Sequence, residues 1–160
     1  MTLDEVIKDI LEHYGEGDEN KPLRDIAFKR VTKYYFEHCV YINGEPIFRK
    51  VWSASEYSCP AIFKKKKAID LAAKDVDGNL WTAKVIDYMN SDNPQFQEDV
   101  RNFVMESKEC DIKPDFQTLV LYGCKVPRKN ERKIRKNRIR ILTGKMMEEF
   151  DIDWSKCEWI

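Results

Sequence analysis

The chain has 160 residues and a mass of 19.0 kDa, the size of one domain, and 42 % hydrophobic residues with 12 % aromatics are enough to build a core. Lys+Arg and Asp+Glu stand at 28 each, so the formal net charge is zero and disorder driven by excess charge is excluded. The longest apolar stretches, such as 118–122 and 68–73, fall far short of the roughly 20 residues a membrane span requires, so no membrane partner is expected.

In chain order, Leu3, Val6, Ile7, Ile10 and Leu11 follow the spacing of an amphipathic helix that ends near Gly15-Glu16-Gly17. Pro22 suits a helix start, and Ile26, Ala27, Val31, Tyr34 and Tyr35 keep a helical period through Phe36 or His38. Asn43-Gly44 marks a turn, residues 47–52 alternate apolar and basic like a half-exposed strand, and 53–60 reads as loop. Two apolar runs joined by Asp75-Val76-Asp77-Gly78-Asn79 predict a β-hairpin; the distal glutamate of a calcium loop is missing, so that junction reads as a turn. Phe96, Val100, Phe103 and Val104 share one helical face within 95–107, and 117–122 reads as a buried strand. A basic segment then leads to a short strand at 139–143, a helix at 145–150 and an aromatic tail with Trp154 and Trp159. This order predicts an α/β fold with a mixed β-sheet flanked by helices, in one domain over 1–160 that begins with an acidic helix in 1–20.

Five cysteines, Cys39, Cys59, Cys110, Cys124 and Cys157, are odd in number and form no C-x-x-C pair, which argues against a disulfide framework and a zinc site. The N-terminus is acidic and amphipathic, unlike a secretory signal. Both features predict a reducing compartment, cytoplasmic or nuclear. His13 and His38 have no partner signature, and Trp52 and Trp81 read as core or sheet-face packing.

Charge is neutral only on average. Residues 1–20 carry seven acidic side chains against one lysine, whereas 125–140 holds nine Lys/Arg against the single Glu131. Within that basic arm lie Arg128, Lys129, Arg132, Lys133, Arg135, Lys136 and Arg138, and a second run comprises Lys64, Lys65, Lys66 and Lys67. Such clusters are the electrostatic footprint of a phosphate-binding surface, so DNA is the expected partner; the alternatives are a solvated run or a nuclear-import signal.

The stretches AFKRVTKYYF, KVWSASEY, AIDLAAKDVDGNLWTAKVIDY, FVMES, QTLVLY and EEFDIDW, spanning about 25–154, resemble the PD-(D/E)xK restriction-endonuclease-like (Mrr-type) domain at the N-terminus of superfamily-two helicases of restriction systems, mobile elements and large DNA viruses. The resemblance implies a restriction-endonuclease-like core and a helicase as partner. In that family, acidic groups on two neighbouring strands and one on the preceding helix hold Mg²⁺, while a lysine two residues beyond the second-strand ligand serves the attacking water. Alternate strand residues share a face, which is why that spacing is two.

On this sequence the family's helix glutamate falls on Lys29, after Phe28, and the hairpin aspartate is Asp70 in Ile69-Asp70-Leu71. The second-strand acid or glutamine becomes Lys84, and the catalytic lysine position holds Ile86. The expected site is thus Asp70 facing Lys84 and Lys29, a carboxylate neutralised by ammonium groups, with no cofactor. A domain that grips DNA without cutting it is the first expectation. One alternative is an active endonuclease with migrated ligands, in which Mg²⁺ binds Asp70 with Asp25, Asp87 or Glu56 and Lys84 is the functional lysine. Another is an accessory subunit that binds a protein through helix 1–14 or the tail 154–160. A homodimer is compatible with all three.

Overall fold

The computed structural model describes residues 1–54, 68–87, 94–109, 113–123, 126 and 128–160. Helix α1 spans Leu3–Tyr14 and opens on a reciprocal cap: Thr2 Oγ1 accepts the Glu5 N–H and Glu5 Oε2 accepts the Thr2 N–H. Its buried stripe is Leu3, Val6 and Ile10, the face predicted from spacing. Helix α2, Lys21–His38, has Pro22 in its first turn and buries Ala27, Phe28, Val31, Tyr35 and Phe36.

Strand β1 (Phe48–Ser53), β2 (Leu71–Asp75) and β3 (Leu80–Ile86) follow, then helix α3 (Pro94–Glu109), β4 (Phe116–Leu121), helix α4 (Arg128–Lys136) and β5 (Ile139–Thr143). A short helix α5 (Gly144–Met147) and a 3₁₀ turn (Trp154–Lys156) close the chain. The strands form one mixed sheet in the order β1-β2-β3-β4-β5. β2 runs antiparallel to both β1 and β3, whereas β3, β4 and β5 are parallel. The β2–β3 hairpin turns on Gly78, whose φ of 86° suits glycine. Asp75 holds that turn by accepting the N–H groups of Asp77 and Asn79 and the Trp81 indole N–H, confirming the turn reading of 75–79.

Side-chain alternation sends the sheet's residues into two cores. Leu71, Ala73, Ala83, Val85, Val120 and Tyr122 pack under α1, α2 and the C-terminal residues Ile152 and Trp154. Ala72, Ile86, Leu119, Leu121 and Ile139 pack with Phe96 and Phe103 of α3 and Ile134 of α4. The sheet is therefore flanked by helices on both faces, as predicted.

Two differences from the sequence reading stand out. The basic arm contains a helix, α4, because one apolar side chain, Ile134, suffices to seat it on the sheet. The helix expected at 145–150 stops at Met147, after which Glu149 and Phe150 donate to carbonyls three residues back and the chain tightens into turns. Among the described residues no helix is long and apolar enough to cross a membrane.

Candidate phosphate-binding site around Asp70

Asp70 precedes β2, where its backbone N–H donates to the Ala83 carbonyl and its own carbonyl accepts from Ala54. Its side chain is buried at the sheet edge where β3 ends. Oδ2 accepts the Val85 N–H at 2.8 Å and lies 3.4 Å from Lys84 Nζ, while Oδ1 lies 3.2 Å from Lys29 Nζ. One helix residue, one residue at the hairpin entry and one second-strand residue thus converge on a single carboxylate. The backbone donor comes from the strand that carries Lys84, so the hairpin pairing that sets the acceptor also sets Lys84 beside it. The Lys29 side chain is 39 % exposed and that of Lys84 15 %, so the cluster opens to solvent on the Lys29 side.

Ile86, at the expected catalytic-lysine position, is buried in the core beneath α3 and α4. It offers no proton and no charge. The donor set around Asp70 does not fit Mg²⁺: one carboxylate, already accepting a backbone N–H, faces two ammonium groups that would repel the ion. Among the described residues no three His, Cys, Asp or Glu side chains converge as ligands.

The carboxylates expected to migrate are held elsewhere. Asp87, just after β3, takes Arg24 Nε on Oδ2 at 2.7 Å and Lys21 Nζ on Oδ1 at 3.0 Å, and the same Lys21 ammonium contacts both oxygens of Asp25 at 3.0 Å. Arg24 is buried and also donates to the carbonyls of Gly15 and Gly17, tying the α1–α2 connection to the end of β3. Burial and then the neighbouring Asp87 carboxylate push Asp25 up to about 7, against the pull of Lys21. Burial works to raise Asp87 too, but hydrogen bonds from Asp25, Arg24 and Lys21 outweigh it and hold that carboxyl below the usual range. Glu56 lies outside the described residues.

No family model, curated protein or solved structure matches this chain.

The basic candidates divide by what is described. Lys64, Lys65, Lys66 and Lys67 lie outside the described residues. Arg128, Lys129, Arg132, Lys133, Arg135 and Lys136 are exposed along α4, and Arg138 in the following turn is exposed as well. Arg135 pairs with Glu131 at 3.0 Å on the helix surface. Because β3 and β4 are parallel, they finish at the same sheet edge, which is also where Asp70 enters the antiparallel β2. α4 follows β4 and leads back to the start of β5, so its first residues, Arg128 and Lys129, leave from that same edge. The helix covers the face of Ile134 and Ile86, whereas Lys29 belongs to α2 on the other face.

The other candidates have structural roles. The stripe of α1 is buried in its own core, and Trp154 is buried against Tyr34. Trp159 packs edge-on to His13 and Tyr14, and His38 stacks on Tyr34 while its Nδ1 lies 2.8 Å from the Tyr34 carbonyl. Burial pushes the Cys39 thiol up to about 12 and the Cys157 thiol up to about 11, leaving both poor nucleophiles. Lys21 and Arg24 were not singled out from sequence; the available signal was the i, i+3, i+4 spacing of Lys21, Arg24 and Asp25 on one helix.

Proposed function

We propose that the chain is a restriction-endonuclease-like domain that binds DNA through its phosphates and does not cut it. The observation that carries this reading is the convergence of Lys29, Asp70 and Lys84, three positions chosen by the resemblance and separated by 41 and 14 residues, on one carboxylate. Where that family gathers acids for Mg²⁺, this chain gathers ammonium groups, and ammonium groups attract phosphate without activating water. The exposed basic face of α4 starts from the same sheet edge, which supports a phosphate track running from the helix toward Lys29.

In this reading Asp70 holds the two lysines in place, and incoming phosphate oxygens meet the exposed side of Lys29. Asp25 and Asp87 take no part in metal binding; with Lys21 and Arg24 they brace the start of α2 against the end of β3. A helicase is the expected protein partner and a reducing interior the expected compartment, the first following from the resemblance and the second from the odd number and wide spacing of the cysteines.

The test is anisotropy of a fluorescent DNA duplex at several salt concentrations, with and without Mg²⁺ or Mn²⁺, with the same samples run on a denaturing gel. Salt-sensitive binding with intact strands under both metals is the expected result. Metal-dependent nicking that Asp70→Ala abolishes overturns the reading in favour of a nuclease with rearranged ligands. Absence of binding at low salt overturns DNA recognition altogether.

A further inference from the structure

A cavity of about 240 Å³ lies between α2 and the sheet, and it shares no residue with the Asp70 cluster. On the sheet side it is lined by Trp81 of β3, Thr118 of β4 and Arg140 of β5, the last two register partners. The walls are aromatic, with Tyr35 and Phe36 from α2, Phe48, Trp81 and Phe150.

Two polar groups in this lining lack the partners that such groups ordinarily have. The Thr118 side chain is buried and its hydroxyl has no hydrogen-bond partner among the described residues, a situation uncommon for a buried donor. Arg140 is exposed at the rim, its guanidinium 4.4 Å from the Phe116 ring centre and 5.2 Å from that of Trp81. Stacking occupies the faces of a guanidinium and leaves its in-plane N–H donors unused, ready for a planar anion. No carboxylate pairs with Arg140 among the described residues.

We propose that this cavity binds a small planar aromatic monocarboxylate, its ring between the aromatic walls and its carboxylate on Arg140. The volume lies below the roughly 300–1,000 Å³ of pockets for drug-sized ligands, so it suits one or two fused rings and is too small for a nucleotide. A carboxylate fits the fork of Arg140 with two parallel hydrogen bonds, which a hydroxyl or an amine on the same ring cannot reproduce. The site is separate from the DNA reading above and stands or falls without it.

The probes are indole-3-carboxylate, neutral indole and cationic tryptamine, each titrated into the full chain and followed by ¹H–¹⁵N NMR shifts and by tryptophan-independent calorimetry. The expected result is saturable binding of indole-3-carboxylate with shifts at Thr118, Trp81 and Arg140, at least about tenfold tighter than indole, because a hydrogen bond to a charged group is worth that much. Arg140→Gln, a change at an exposed side chain, should bring the carboxylate to the affinity of indole and leave indole unaffected. Equal affinity for the three probes, shifts elsewhere on the molecule, or no binding at millimolar concentration overturns the proposal.

Discussion

Lys84 and Asp70 meet across the mouth of the β2–β3 hairpin, with Nζ 3.4 Å from Oδ2 and the same oxygen accepting the Val85 N–H. The lysine and the backbone donor are therefore consecutive residues of one strand reaching one oxygen, and the pairing is built into the strand register.

Replacing Asp70 separates the roles of this pair. Asp70→Asn keeps the volume and an acceptor for the Val85 N–H but leaves Lys84, largely buried, without its counter-charge. A loss of about 2–3 kcal/mol is expected, less than for a fully buried pair because Lys29 can turn to solvent. Urea unfolding reads this directly. The same variant has one fewer negative charge beside Lys29, so its affinity for duplex DNA at low salt should rise severalfold over the parent in the anisotropy assay. Unchanged stability would show that the carboxylate does not anchor the lysines.

The basic face of α4 makes a separate prediction. If Arg132, Lys133 and Lys136 contact phosphates, changing each to Gln weakens binding uniformly across sequences and lowers the slope of log K against log salt by about one per residue. Arg135, already paired with Glu131, should contribute less than its neighbours. Because these side chains are exposed, the unfolding free energy should not change by more than about 0.5 kcal/mol. A slope unaffected by the triple change would remove α4 from the interface.

Local chemistry made much of the fold legible. The stripe of Leu3, Val6 and Ile10, the turn at 75–79 and the apolar run of β4 each carry their own period, so α1, the hairpin and the strand are found where spacing puts them. The facing of Asp70 and Lys84 was expected from the family resemblance, which set both positions, and the hairpin register is the physical reason they meet. α4 was not legible, because a nine-residue helix with a single buried Ile134 has no apolar stripe to read. Nor was the bracing of Asp87 by Lys21 and Arg24, whose partners lie 66 and 63 residues apart and are brought together only by the packing of α2 over the end of β3.

Asp25 gives the stability a pH dependence of definite sign. Its native carboxyl titrates near 7 against an ordinary 3.8, so the native state holds a proton that the unfolded chain has released between those values. That contribution is complete below about 3.8 and is lost as pH rises through about 7. Asp87, held below its ordinary value, acts oppositely: its contribution is present above about 3.8 and is lost as pH falls further. Urea midpoints measured from pH 2 to pH 8 should therefore fall with rising pH above about 4 by an increment that Asp25→Asn removes, while the acid limb below about 3.8 set by Asp87 persists in the variant. An identical pH profile for parent and variant would show that Asp25 does not carry the shared proton.

Arg138 joins the two themes of backbone and charge. It follows α4 in the left-handed region, with φ of 61°, and its N–H donates to the Arg135 carbonyl as the helix ends. A side chain there costs about 1 kcal/mol relative to glycine, which adopts this conformation without a clash with its own Cβ. Arg138→Gly should therefore raise stability by roughly 0.5–1 kcal/mol, offset in part by the greater freedom of glycine in the unfolded chain. It should at the same time weaken DNA binding and flatten its salt dependence, as loss of a phosphate contact requires. Opposite signs in the urea and anisotropy experiments are the expected signature of a residue kept for its charge at a position better suited to glycine; a stabilised variant with unchanged DNA affinity would show that Arg138 touches no phosphate.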